Sequence, residues 1–195
     1  GAGNVISGNN GEGIALFGGN SNTISGNLIG LGADGSTAVG NSFDGIHIAS
    51  AAANNTIGGT TALERNVISA NSSRGVQIEG FGSTNNVVLG NYIGTDSTGA
   101  LDRGNGLNGI LVGNSAGANI IGQAVAGGGN VVSGNNGNAG IEINGSTTGS
   151  NLVQGNIVGL NAAGNAALAN SGAGILIDGG QLTTIGGTLA AARNV

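Results

Sequence analysis

The chain has 195 residues, of which 44 are glycine and none is proline, cysteine, methionine or tryptophan. Four arginines, no lysine and nine acidic residues give a formal net charge of −5, which excludes a protein that grips a nucleic-acid backbone by charge. The lack of cysteine excludes a disulfide scaffold, and no apolar run approaches the length of a membrane span.

Along the chain, a phrase of Asn, two aliphatic or aromatic residues, then Ser or Gly opens at Asn4, Asn27, Asn66, Asn91, Asn130 and Asn156, and Asn194 starts it again. The separations of 23, 39, 25, 39, 26 and 38 residues alternate short and long units. The chain therefore divides into three double repeats, 4–65, 66–129 and 130–193, within one domain spanning 1–195. Each unit continues with a Gly-led phrase, such as Gly13-Ile14-Ala15-Leu16 or Gly45-Ile46-His47-Ile48, and then a third phrase such as Asn22-Thr23-Ile24. Thr183 replaces Asn in the last of these third phrases.

Short runs with an apolar period of two, bounded by Gly and Asn, predict strands rather than helices. Three strands per unit and six units predict an all-β parallel solenoid, with equivalent positions stacked about 4.8 Å apart and a rod roughly 29 Å long. The inward columns are then uniformly aliphatic: Ile6 to Val158 on the first strand, Ile14 to Ile175 and Leu16 to Ile177 on the second, Ile24 to Ile185 on the third. β-Branched side chains suit such a narrow pleated core, and the glycines fall at fixed corners. Asn4, Asn27, Asn66, Asn91, Asn130, Asn156 and Asn194 lie in register, which predicts a structural ladder of stacked amides along the axis.

The long units carry two insertions. Residues 30–41, 94–105 and 159–170 end in the apolar pairs Ala38-Val39, Ala100-Leu101 and Ala167-Leu168. These loops are expected to fold over the outward apolar column of the first strand, so that loss of Leu101 exposes it. After the third strand, Thr61-Ala62-Leu63-Glu64 has capping-box spacing and Leu189-Ala190-Ala191-Ala192 has high helix propensity, predicting one helical turn at each.

Chemistry is sparse. The nine acids do not gather along the repeat, and the only candidates for catalysis are His47, the sole histidine, with Glu142 and Asp178. His47 is expected to be a solvated surface residue, Glu142 and Asp178 a loose diagonal pair on adjacent coils, and Asp102-Arg103 a local ion pair. Single carboxylates at Asp34 and Asp96 are too few for calcium, so no metal or cofactor is expected. The exposed Thr residues form no flat array, and Phe17, Phe43, Phe81 and Tyr92 form no row of aromatic platforms for sugars.

The phrases Asn-Val-Ile-Ser-Gly-Asn, Gly-Ile-x-Ile and Asn-Thr-Ile-Gly-Gly resemble the repeats of right-handed parallel β-helices of the pectate-lyase-like superfold. More closely they are similar to Gly- and Asn-rich arrays of very large secreted or surface proteins of bacteria. The resemblance covers all 195 residues and implies a right-handed β-helix at the cell surface or outside the cell. It does not imply an activity, because the superfold hosts lyases, hydrolases, adhesins and passive stalks. The expected function is a non-catalytic structural or display module of a longer secreted protein, stacking end to end through the matching phrases Asn4-Val5 and Asn194-Val195. The alternative is a carbohydrate-binding or polysaccharide-active β-helix, a lyase or glycoside hydrolase if catalytic, using the outer face of the second strand. Self-association and a glycan are the expected partners; nucleic acid and membrane insertion are not.

Overall fold

The computed structural model describes residues 3–195 and contains three parallel sheets of six strands each. Every sheet takes one strand from each coil, in coil order, so each unit of sequence is one turn of a parallel β-solenoid. The first-strand sheet runs from Val5–Ile6 to Ile157–Val158 and the third from Thr23–Ile24 to Thr184–Ile185. The second is the widest: Ile14–Phe17, Ile46–Ala49, Val76–Glu79, Ile110–Gly113, Ala139–Asn144 and Ala173–Asp178. Its register follows the repeat, with Ile110 opposite Val76 and Ile141, and Val112 opposite Ile78 and Ile143.

One aliphatic side chain per strand, two on the second, fills the interior. Ile29, Ile46, Ile48, Ile68, Val76, Ile93, Ile110, Ile121 and Ile141 are wholly removed from solvent. Burial of this kind contributes about 1.5–3 kcal/mol per side chain. At the outermost coils the same columns are less covered: Ile14 and Ile175 are half-buried, and Ile185 is 50 % exposed.

Amide ladders line all three corners, not only the one before the first strand. Before the first strand, side-chain Nδ2 donates to the next Oδ1 from Asn4 to Asn27, Asn66, Asn91, Asn130, Asn156 and Asn194, at 2.9–3.1 Å. Between the first and second strands a second ladder runs Asn9, Asn41, Asn71, Asn105, Asn135, Asn170 at 2.7–3.0 Å. A third joins Asn22, Asn55, Asn86 and Asn119 at 2.9–3.0 Å, and Asn119 N–H continues it to Asn151 Oδ1. At the last coil Thr183 ends this column, with its buried hydroxyl unpaired.

From the second coil on, the ladder amides also donate to backbone carbonyls. Asn71 donates to Ile29 O and Asn105 to Ile68 O, carbonyls at the end of the first strand that also accept the Ser69 and Gly94 N–H groups of the next coil. This crowding fixes the glycine before the second strand. A Cβ on Gly45 would stand 2.5 Å from Ile68 Cγ2, 2.7 Å from Gly75 O and 2.8 Å from Asn71 Nδ2.

Short and long coils interlock through a serine. Ser7, Ser69 and Ser133 of the short coils donate to Leu31 O, Thr95 O and Leu160 O at the roots of the long-coil loops. They accept from Gly30, Gly94 and Gly159 N–H. Those glycines have φ of +90, +91 and +83, and a Cβ on Gly30 would lie 2.0 Å from Ser69 O on the coil above. Hence the phrase ends in Ser on one coil and Gly on the next.

Each loop is a small hairpin closed by antiparallel bridges, Leu31 to Ala38, Thr95 to Asp102 and Leu160 to Ala167. The apolar pairs are not its covering face: Val39 and Leu101 are 41 % and 51 % exposed. Bridging turns them outward, buries Leu31 and Thr95 at the loop roots, and sets Gly99 against the Tyr92 ring. Residues 61–64 form a single hydrogen-bonded turn, not a helix, with Glu64 accepting from the Thr61 N–H and hydroxyl. Ala190–Ala192 is one 3₁₀ turn.

Candidate functional site

The outer face of the second-strand sheet carries most of the chain's chemistry. Alternation puts Ala15, His47, Gln77, Leu111, Glu142 and Leu176 in one outward column, paired coil to coil. Beside it, Glu79 faces Gly113 and Asn144 faces Asp178. Over coils three to five this face is hollowed into a groove of about 430 Å³. Leu111 and Gly113 form its floor, Gln77 and Glu79 one wall, and Glu142 and Asn144 the other. Amides of Asn108, Asn114, Asn136 and Asn138 stand around the rim with Arg74 and Leu107.

Gly113 keeps the groove open. A Cβ there would meet nothing closer than 3.6 Å and its φ is ordinary, so neither sterics nor backbone requires glycine. Any larger residue would occupy the floor.

Glu142 is only 5 % exposed. Its Oε1 accepts from Asn144 Nδ2 at 2.9 Å and its Oε2 from Asn108 Nδ2, while Asn108 Oδ1 is aimed by the Asn138 N–H at 3.1 Å. Burying a carboxylate is costly unless hydrogen bonds or an opposite charge compensate; here the partners are neutral amides. Arg74 donates to Gln77 at 3.0 Å and lies 3.8 Å from Asp44, so its charge is matched at the groove's edge.

His47 is not the solvated residue the sequence suggested. Its side chain is 15 % exposed, with Nε2 3.0 Å from Glu79 Oε1 and Nδ1 3.6 Å from Glu12 Oε1. The ring of Phe17 meets it edge-on at 5.3 Å. Two acids from neighbouring coils thus gather on one imidazole, contrary to the expectation that none gather. The diagonal step that relates Glu142 to Asp178 also relates His47 to Glu79, and that signal was available. Burial pushes the Glu79 carboxyl up, but hydrogen bonds from Asn114, His47 and Gln77, with the histidine's charge, hold it below its ordinary range. Asn114 Nδ2 lies 2.7 Å from the second Glu79 oxygen, so this carboxylate links the imidazole to the groove rim.

Glu142 and Asp178 do not form a patch. Asp178 is exposed opposite Asn144, outside the groove lining, and Glu142 points into the amides. Nor do Asp102 and Arg103 pair through their side chains: Asp102 accepts from Gly104 N–H, while Arg103 crosses to Ser36 O on another loop. Asp34 and Asp96 anchor their own hairpins. Thr37 and the backbone of residues 36 and 37 hold Asp34 down to about 2. Burial raises Asp96, yet the Leu101 and Ala100 N–H groups and Thr98 bring it below the usual carboxylate range. Among the described residues no group of three or more His, Cys, Asp or Glu side chains is arranged to hold a metal ion, Glu12, His47 and Glu79 included, and no helix is long and apolar enough to cross a membrane.

No family model, no curated protein and no solved structure matches this chain.

Proposed function

We propose that the chain is a non-catalytic structural or surface-display module of a secreted bacterial protein, its coils stacking on further coils of a longer chain or of a second copy. The observation that carries this reading is the set of three amide ladders running coil to coil, which commits the corner asparagines to one another and to backbone carbonyls. Such a solenoid gains cooperativity from each neighbouring interface rather than from a wide core. Secretion and bacterial origin rest on the resemblance of the repeats to Gly- and Asn-rich surface arrays. Incubation with neutral, amino- and uronate polysaccharides should give no new reducing ends or unsaturated products. Cleavage of any of them, abolished by Glu142→Ala, would sink the proposal.

A second reading is favoured by the groove: a glycan held without cleavage on the second-strand face. Its amide rim, two carboxylates and leucine floor supply both hydrogen-bonding and apolar surface. A glycan array tests it directly, with binding expected to vanish when Gly113 is replaced by leucine and the melting temperature holds.

A further inference from the structure

We infer that the groove selects an amine-bearing oligosaccharide, a short run of hexosamine units with free amino groups, over the uronate polymers. This rests on the glycan reading of the groove. Two carboxylates line it, and its one arginine is matched by Asp44. Glu79 has His47 on one oxygen; Glu142 has no cation at all, only Asn108 and Asn144. A carboxylate buried to this degree gains most from a ligand that brings its own positive charge, because charge-assisted hydrogen bonds are about twice as strong as neutral ones. An anionic uronate would face like charge from both walls, which rejects it. The amides of Asn114 and Asn138 suit hydroxyl groups, and Leu111 and Leu107 suit the apolar face of a sugar ring. The hollow over Gly113 is where that ring would lie, since no side chain fills it.

The test titrates the purified chain with a glucosamine tetramer, its N-acetylated counterpart, a galacturonate tetramer and spermidine, followed by amide chemical shifts or calorimetry. The free-amine tetramer should bind at least about tenfold more tightly than the acetylated one, and the galacturonate tetramer should not bind. Glu142→Gln should erase the preference for the amine while leaving the acetylated tetramer unchanged, and Gly113→Leu should remove both at constant melting temperature. Equal binding of the acetylated tetramer overturns the charge selection while leaving a glycan groove standing. Spermidine binding as tightly as the tetramer overturns the sugar and leaves only a polyamine. If nothing binds, the groove reading and this inference fall together.

Discussion

The corners and the groove are built from the same residue, asparagine, used in opposite ways. In a corner such as Asn91, Oδ1 accepts from Asn66 N–H and Nδ2, and Nδ2 donates to Asn130, Ile57 O and Leu89 O, so the amide is closed on all sides. In the groove, Asn108 and Asn144 turn toward a single carboxylate and Asn136 and Asn138 line an open rim. An amide whose donors and acceptors all end in backbone or in the amides of neighbouring coils is part of the frame. One that points at a carboxylate or at open groove space is available to a ligand.

Substitutions can break this contrast. Asn91→Ala strands two donors of Asn66 in a dry corner, with an expected loss of about 4 kcal/mol in urea unfolding. Gly45→Ala forces a Cβ into Ile68 and the ladder and should cost about 2–3 kcal/mol by the same measurement. Asn108→Ala removes one partner of Glu142, but open groove space lies alongside, so about 1.5 kcal/mol is expected; a loss as large as that of Asn91→Ala would erase the distinction between frame and groove.

Asp96 sharpens it from the side of pH. Its folded carboxyl titrates below the unfolded value near 4, so its stabilisation is complete above that value and is lost as pH falls through the folded one. Asp96→Asn should therefore destabilise at pH 6, by about 1 kcal/mol as charged hydrogen bonds become neutral ones, with the gap to wild type narrowing in thermal melts as pH falls below the unfolded value. Smallest of all is Gly113→Ala, expected within about 0.5 kcal/mol of wild type, because its Cβ meets only ordinary contacts.

The solenoid was legible because its signals recur at coil spacing: aliphatics such as Ile46, Val76 and Ile110 share a register that the chain repeats. The second ladder was equally periodic, since Asn41, Asn105 and Asn170 close the three first-loop insertions, but those residues read as loop ends until their carbonyl partners were seen. The groove was not legible. Glu142 is covered by Asn108, which lies in the turn before the fourth coil's second strand, where the path depends on packing rather than on period. Leu101 faces outward for a similar reason: Asp96 draws the backbone of residues 100 and 101 inward and the hairpin closes behind it.

The serine and glycine that alternate at the end of the first strand give the array a parity. A serine coil lies beneath a glycine coil: the serine hydroxyl accepts the glycine N–H and donates to the loop root, and the glycine's φ of +83 to +91 is a conformation that serine would strain to adopt. Deleting or duplicating one coil would set serine on serine or glycine on glycine and leave a loop root unpinned. Removing two restores the match. The heritable unit of this fold is therefore the coil pair, and changes in rod length that preserve the fold should come in even numbers of coils.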